Sequence, residues 1–318
     1  MFVGHYTPQK RKMQAAQRKN AGFYAPPDRR TVRGPKNFSK IFEKPLAFFQ
    51  QSSKLSPVAN IVHEIRTRHY MLCFSTFGRV RGNSGSGTAE MRLGLQKLTL
   101  LDYPGKVACT VFTCGCDFRC PFCHNASLVT GSDDVLEEES GILAFLRRRT
   151  GILDGVCITG GEPLMHEELF GFARQVKELG FSLKLDTNGS YPGRLERMLS
   201  EGLADYVAMD IKNSPAKYAM TVGGRDFLPQ VRRSVELLKE GRVPYEFRTT
   251  VTGNLHDVAD FAAIGEWIQG TEKYFLQPFL ASGDILAPDA DYTVSAERLT
   301  EFLNAVKPFV PAAAVRGK

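Results

Sequence analysis

The sequence lacks the features of a membrane protein and of a secreted disulfide scaffold. No run of 18 or more apolar residues occurs in its 318 residues, so no transmembrane helix and no membrane partner are expected. The first residues, MFVGHYTPQKRKMQ, contain no continuous apolar stretch of the kind found in a secretory signal. The seven cysteines are odd in number, and none follows Cys157. We therefore expect a cytoplasmic, reducing compartment, with thiols used for metal or redox chemistry.

Acidic residues are scarce in the first 90 positions and abundant afterwards. Residues 1–90 hold 16 Lys and Arg against 4 Asp and Glu, whereas residues 91–318 hold 25 against 30. The first segment is also broken by Gly, Ser and Pro, which indicates a basic region of low order. It could be an arm that touches nucleic acid or an acidic partner, or an Arg-rich transit peptide. We favour a third interpretation, in which the natural protein starts at Met91 and residues 91–318 form the domain.

From Met91 onward, short apolar strands alternate with amphipathic segments of helical length. Strands covered on both faces by helices are typical of parallel sheets, and six such repeats predict an α/β fold, a partial (β/α)6 barrel. The predicted strands are Val107–Thr113, Gly155–Thr159, Ser182–Asp186, Tyr206–Asp210, Tyr245–Val251 and Tyr274–Gln277. The predicted helices are Val135–Arg149, Glu167–Leu179, Pro192–Glu201, Phe227–Glu240 and His256–Gln269.

Polar clusters follow or end each of the six predicted strands. They read TCGCDFRCPFCHN, TGGEP, DTNG, MDIKNS, RTTVTGN and LQPF in chain order. In β/α barrels, the active-site residues lie at the carboxyl ends of the strands. The sequence therefore predicts one functional rim.

The first cluster holds four cysteines, Cys114, Cys116, Cys120 and Cys123, within ten residues. A structural zinc site normally needs a second, separated ligand pair, and none is present. Cys120 and Cys123 have the spacing of a thioredoxin-like redox pair, but that interpretation leaves Cys116 unused, and the expected compartment disfavours a disulfide. Three thiolates in C-x₃-C-x₂-C spacing could instead bind three irons of a [4Fe–4S] cluster and leave the fourth iron open to a small chelating ligand.

The motifs together resemble the radical S-adenosylmethionine (SAM) enzymes. The cysteine motif with Phe122 before its last cysteine, followed by GGEP and a partial barrel, carries this resemblance. Within that family, LTLLDYPGKVACTVFTCGCDFRCPFCHN, KLDTNG and DYVAMDIKN resemble activating enzymes of glycyl-radical proteins. Those that serve anaerobic ribonucleoside-triphosphate reductase are the most similar, and CHN and DTNG are also similar to the pyruvate formate-lyase activating enzyme.

The resemblance implies a catalytic [4Fe–4S] cluster held by Cys116, Cys120 and Cys123, with SAM chelating the open iron. It implies that the ring of Phe122 stacks on the adenine, although simple loop packing is the alternative. Gly160 and Gly161 would admit the methionyl group.

The remaining implied SAM-binding residues carry charge or hydrogen-bonding groups. Glu162 would bind the SAM ammonium, and it could also act as the first-turn acid of a helix that Pro163 begins. The other expected contacts come from the strand ends, namely Asp186, Thr187, Asn188 and Arg248. A turn at DTNG and ordinary ion pairs of Arg248 and of Asp210 with Lys212 are the alternatives.

By resemblance, the expected reaction is radical activation of a partner enzyme. A 5′-deoxyadenosyl radical would abstract hydrogen from a glycine of a glycyl-radical enzyme, with anaerobic ribonucleotide reductase as the expected partner and flavodoxin or ferredoxin as the expected electron donor. One alternative is a radical SAM oxidoreductase that acts on a small molecule. Another is a metal-binding nucleic-acid adaptor built on the basic segment, although no nucleic-acid partner is our main expectation.

Overall fold

The computed structural model describes residues 91–130, 136–281 and 284–317. The predicted basic region of residues 1–90 lies outside the described residues. Within the described part of the chain, no helix is both long and apolar enough to cross a membrane.

One mixed sheet forms the centre of the domain. Its strands are β1 (Arg92–Thr99), β2 (Ala108–Thr113), β3 (Glu137–Glu138), β4 (Gly155–Gly160), β5 (Ser182–Thr187), β6 (Tyr206–Asp210), β7 (Tyr245–Val251), β8 (Tyr274–Pro278) and β9 (Ala314–Val315). Their order across the sheet is β3-β1-β2-β4-β5-β6-β7-β8-β9. All pairs from β2 to β9 are parallel, and β1 is antiparallel to both of its neighbours.

Helices connect the parallel strands. They are α1 (Ala126–Thr130), α2 (Glu139–Arg147), α3 (Leu169–Glu178), α4 (Pro192–Ser200), α5 (Tyr218–Thr221), α6 (Leu228–Lys239), α7 (Val258–Trp267) and α8 (Ala296–Val306), with a short 3₁₀ turn at Pro163–Met165. This succession of parallel strands and helices is the predicted partial (β/α)6 barrel.

The sequence pattern explains why these elements bury their apolar faces. Every residue of β2 is buried, as expected for a strand that is covered on both sides. On α3, the apolar residues Leu169, Phe172 and Val176 recur at helical spacing and are fully buried. Each such side chain contributes about 2 kcal/mol of hydrophobic free energy. The result is a large hydrophobic core between the helices and the sheet, and a separate small cluster is formed by Tyr103, Ala108 and Tyr206.

The six predicted strands agree with observed strands to within one residue at each end. The predicted helix start at Val135 was wrong, because β3 occupies Glu137–Glu138 and α2 begins only at Glu139. Strands β1, β3 and β9 were not predicted. The latter two contain only two residues each, which is too short for a periodic pattern.

Within the residues that the structure describes, the sheet does not close upon itself. Strands β3 and β9 lie at opposite ends of the strand order and do not pair with each other. A full barrel has no such edges. As formed by the described strands, the rim at their carboxyl ends is therefore open on one side.

Candidate functional site

The loop from Cys114 to Cys123, here called the cysteine loop, begins directly after β2 ends at Thr113. None of its four cysteines forms a disulfide with another described residue. Cys120 is buried, and Cys114, Cys116 and Cys123 are partly exposed. Cys114 lines a cavity of about 290 Å³ together with Arg92 and His166. The sulfur atoms of the three predicted ligands are thus carried by one short loop at the predicted rim.

Two glycines, Gly160 at the last position of β4 and Gly161 directly after it, allow the end of β4 to pack against the end of β2 and the cysteine loop. Gly160 has φ +116°, a conformation that favours glycine, and a Cβ there would overlap the backbone of Thr113. A Cβ on Gly161 would overlap the carbonyl oxygen of Gly115. Two backbone hydrogen bonds stabilise this close packing. The Gly161 nitrogen donates to the Thr113 oxygen at 2.9 Å, and the Glu162 nitrogen donates to the Gly115 oxygen at 2.8 Å.

Glu162 is fully buried and is surrounded by hydrogen-bond donors. Its Oε1 accepts from the Leu164 backbone N–H at 3.0 Å and from the Thr187 hydroxyl at 2.8 Å, and its Oε2 accepts from the Asn188 backbone N–H at 2.7 Å. The contact with Leu164 makes Glu162 the N-cap of the three-residue 3₁₀ turn that Pro163 begins, so Glu162 precedes this turn and is not the expected first-turn acid of a helix. Burial raises the pKa of Glu162 to about 8, although these three donors act in the opposite direction.

Asn188 connects the end of β5 to the cysteine loop. Its Nδ2 lies 3.6 Å from the sulfur of Cys116 and 3.0 Å from Oδ1 of Asp117. Its Oδ1 accepts a 2.8 Å hydrogen bond from the Ser190 backbone N–H, which forms the turn that the DTNG sequence suggested.

Charged side chains of alternating sign form ion pairs across β5, β6 and β7. Arg248, which is 2% exposed, donates from Nε to Asp210 at 2.8 Å and from Nη1 to Asp186 at 3.2 Å. Asp186 also pairs with the fully buried Lys184, and Asp210 pairs with Lys212 at 2.9 Å. The ion pairs that the sequence offered as alternatives, one for Arg248 and one between Asp210 and Lys212, are therefore both present. The pKa of Asp210 is lowered to about 2, because Arg248 and Lys212 outweigh the effect of burial.

Lys212 places a positive charge near the predicted iron ligands. Burial raises the pKa of the Cys120 thiol to about 12, and Lys212 opposes that rise electrostatically. Burial raises the pKa values of Cys116 and Cys123 as well. Thiols of this kind give up their protons when a metal binds, because the metal charge replaces the proton.

The ring of Phe122 is buried and packs edge-on against Tyr292, with 6.2 Å between the centroids. The segment from Asp284 to Tyr292, here called the 284–292 segment, also pairs with the cysteine loop through its backbone. The Leu286 nitrogen donates to the Cys123 oxygen at 3.1 Å, and the Ala287 nitrogen donates to the Pro121 oxygen at 2.9 Å. The expected adenine contact of Phe122 stays a prediction.

Two buried polar atoms near this rim have no hydrogen-bond partner among the described residues. They are Oδ1 of Asn125, two positions after Cys123, and Oγ of Ser190, which follows the DTNG turn. No three His, Cys, Asp or Glu side chains in the described ranges are placed to hold a single metal ion. A cluster does not require that arrangement, because each cysteine binds a different iron. Free thiols, N–H donors directed at Cys116, a nearby lysine and unpaired polar atoms all suit an iron–sulfur cluster with a polar ligand.

The sequence profile of the radical SAM superfamily matches residues 110–268, half of the chain. The chain belongs to the radical SAM superfamily. Its cofactors are accordingly a [4Fe–4S] cluster and SAM. The match extends from β2 to just beyond α7 and so includes the cysteine loop and the ends of β4 to β7.

Three relatives give this radical SAM chain a closer context. A Methanocaldococcus jannaschii protein named as a glycyl-radical enzyme activating enzyme is 32% identical over 193 residues, 58% of this chain and 78% of that protein. The pyruvate formate-lyase-activating enzyme of Clostridium pasteurianum is 29% identical, over 59% and 82%. A Thermococcus kodakarensis protein named as GTP 3′,8-cyclase is 27% identical, over 46% and 50%.

A solved structure supports the fold. The radical SAM methyltransferase from Sphaerobacter thermophilus superimposes with a TM-score of 0.53 at 17% identity, covering 69% of this chain and 68% of that one. At this identity the likeness shows the fold alone.

Sequence reasoning missed Lys184 and Asp117. Lys184 could have been found, because residues two apart on a strand share a face and Lys184 precedes Asp186 by two in a buried strand. Asp117 had no signal in the sequence, since its contact with Asn188 joins residues that are distant along the chain.

Proposed function

We propose that this radical SAM chain is the activating enzyme of a glycyl-radical enzyme. The observation that carries the proposal is its 32% identity to a relative named for that activity, over 78% of that relative's length. We propose anaerobic ribonucleoside-triphosphate reductase as the partner, because the motifs KLDTNG and DYVAMDIKN resemble its activating enzymes.

Each part of the proposed site has a distinct role. Cys116, Cys120 and Cys123 would hold the cluster, which together with SAM supplies a reductively generated 5′-deoxyadenosyl radical when both are bound. Glu162 has an acceptor position left on its carboxylate after its three hydrogen bonds, and it would use this for the SAM ammonium.

Further SAM contacts are proposed at the ends of β4 and β5 and at Arg248 in the middle of β7. Asp186 and Arg248 would present fixed charges to the polar groups of SAM, because their mutual ion pair orients both side chains. Thr187 is held by Glu162 and would line the same side. Gly160 and Gly161 leave no side chain between the cysteine loop and the end of β4, which supports a close approach of the methionyl group.

The open sheet supports a polypeptide substrate. A loop of a partner protein can enter through an open side, whereas small molecules are usually bound in more enclosed pockets. Glycine is a suitable target, since it has no side chain to keep the reacting carbon away. The partner glycine would lose a hydrogen atom, so the enzyme is an oxidoreductase. We propose a reducing cytoplasm as its location and flavodoxin or ferredoxin as its electron donor.

The decisive experiment combines the anaerobically reconstituted protein with SAM, a reductant and anaerobic ribonucleotide reductase. We expect a glycyl radical by electron paramagnetic resonance (EPR). The signal should be absent when the partner's glycine is replaced by alanine, which serves as the matched control. SAM cleavage without any radical on this partner would contradict the proposed partner.

A small-molecule substrate is the second candidate, favoured by the similarity to the protein named as GTP 3′,8-cyclase. The chain spans only half of that relative, so the similarity is less complete than for the activating enzymes. Turnover of SAM with GTP or another purine compound, without radical formation on a glycyl-radical enzyme, would favour this candidate. Failure to cleave SAM at all would instead favour a metal-binding nucleic-acid adaptor.

A further inference from the structure

The orientation of the Asn188 amide is fixed by its neighbours. The backbone N–H of Ser190 can only donate, so the atom that it contacts must be the oxygen Oδ1. The amide nitrogen Nδ2 therefore points the other way, toward Cys116 and Asp117. Its two hydrogens have two acceptors, the sulfur at 3.6 Å and the Asp117 oxygen at 3.0 Å.

The backbone of Asn188 is held as firmly as its side chain. Its N–H donates to the buried carboxylate of Glu162 at 2.7 Å, and its side chain is buried with the rest of the turn. The Phe118 backbone N–H is a second donor to the same Cys116 sulfur, at 3.4 Å. Cys116 thus accepts N–H groups from two different parts of the chain before any metal is considered.

We propose that Asn188 is a positioning residue that orients Cys116 and raises the reduction potential of the cluster through its N–H···S hydrogen bond. The inference rests on the proposed role of Cys116 as an iron ligand. Hydrogen bonds to the sulfurs are among the factors that set the potential of an iron–sulfur cluster. A reduced cluster carries one more negative charge than an oxidised one, so a donor stabilises the reduced form more.

Two substitutions separate the hydrogen bond from charge. Asn188→Asp keeps an oxygen to accept from Ser190 and loses both amide donors, but it adds a negative charge. Asn188→Ala removes the donors without adding charge. Asn304→Ala, at an exposed position of α8, is the control.

The measurement is a dye-mediated redox titration of the full-length reconstituted protein without SAM, followed by EPR of the reduced cluster. In both Asn188 variants we expect a lower midpoint potential. At a fixed solution potential the ratio of reduced to oxidised cluster should fall about tenfold, which is 59 mV for one electron. The Asn304 variant should match the wild type.

A wild-type midpoint potential in Asn188→Ala overturns the inference, even if Asn188→Asp is shifted, because charge alone would then explain the shift. If Asn188→Ala takes up no cluster, the test uses the Asn125→Ala protein, in which Asn188 is intact. With the side-chain amides of asparagine labelled with ¹⁵N, pulsed EPR of the reduced cluster in that protein should detect a nitrogen coupling. Absence of this coupling overturns the inference. If Cys116→Ala retains the cluster, the ligand assignment fails first, which is a separate result.

Discussion

Oε2 of Glu162 accepts a 2.7 Å hydrogen bond from the backbone N–H of Asn188, and this contact joins the ends of β4 and β5. Both residues also contact the cysteine loop, Glu162 through its nitrogen to Gly115 and Asn188 through its amide to Cys116. Three motifs that are far apart in the sequence thus share one hydrogen-bond network. A substitution of Glu162 should therefore also alter the positions of the cysteines.

Glu162→Gln should destabilise the domain. The glutamine oxygen can replace Oε1, but its NH₂ group would then face the Asn188 N–H, so two donors would oppose each other in a buried site. An unsatisfied buried donor costs about 1–3 kcal/mol. Anaerobic thermal unfolding should show the loss, and the exposed Glu178→Gln should not. Equal melting temperatures for the two variants would contradict the structural role of Glu162.

The assignment of the iron ligands predicts that three of the four cysteines in the loop are essential for the cluster and that Cys114 is not. Cys116→Ala, Cys120→Ala and Cys123→Ala should each abolish cluster binding and SAM cleavage. Cys114→Ala should keep most of both, since Cys114 lies outside the C-x₃-C-x₂-C motif. Iron and sulfide analysis after anaerobic reconstitution is the measurement. Cluster loss in Cys114→Ala with retention in Cys116→Ala would show that the ligands are misassigned.

A methyl group at Gly161 should displace the cysteine loop. The Cβ of Gly161→Ala would overlap the backbone of Gly115, which cannot move without shifting the loop. We expect loss of cluster uptake or of folded protein. Gly171→Ala is the matched control, because Gly171 lies in α3 with open space around it, and alanine there should stabilise the helix by about 0.5–1 kcal/mol. Normal iron content in Gly161→Ala would contradict the packing argument.

The ion pair of Glu246 and Arg316 should make stability depend on pH. Glu246 is buried and paired with both Nη atoms of Arg316, at 2.6 and 2.9 Å. Burial alone would raise the pKa of Glu246, but Arg316 and its neighbours lower it overall. The folded pKa lies below the unfolded value of about 4.3, so this stabilisation is complete above that pH and is lost as the pH falls further.

Arg316→Met should therefore destabilise the protein by about 3 kcal/mol near neutral pH, because it leaves a buried carboxylate unpaired. The difference from the wild type should shrink as the pH falls, first as Glu246 becomes protonated in the variant, where burial without Arg316 favours a higher pKa, and then below about 4.3 as the wild type loses its stabilisation. Urea unfolding at several pH values measures both effects. Arg147→Met, at an exposed position, is the control. A difference that stays constant with pH would argue against the ion pair as its source.

We propose that the catalytic unit begins at Met91. A chain truncated to residues 91–318 should bind its cluster and cleave SAM as the full chain does, because the cysteine loop and the described strands all lie within it. Iron content and SAM cleavage of the two forms are the measurements. A truncated chain that fails to fold or to bind iron would assign the first 90 residues to the domain.

The parallel strands could be predicted because each buried strand corresponds to a continuous stretch of apolar residues in the sequence. A strand such as β4 is a short apolar run between polar loops, and its bounds follow from composition. The positions of Gly160 and Glu162 at the rim follow from the same rule. The contacts that complete the site could not be predicted in this way. Asn188 with Cys116, and Phe122 with Tyr292, join residues whose proximity depends on the whole fold.

The pairing of the 284–292 segment with the cysteine loop has a consequence for biosynthesis. The loop emerges from the ribosome before its partners, because Leu286 and Ala287, which donate to Cys123 and Pro121, lie far downstream in the sequence. Domains generally fold as units during synthesis. The loop can therefore reach its final shape only after the 284–292 segment has been made. Iron insertion should accordingly follow synthesis of this segment, and a ribosome-bound chain that ends before Asp284 should bind the cluster poorly.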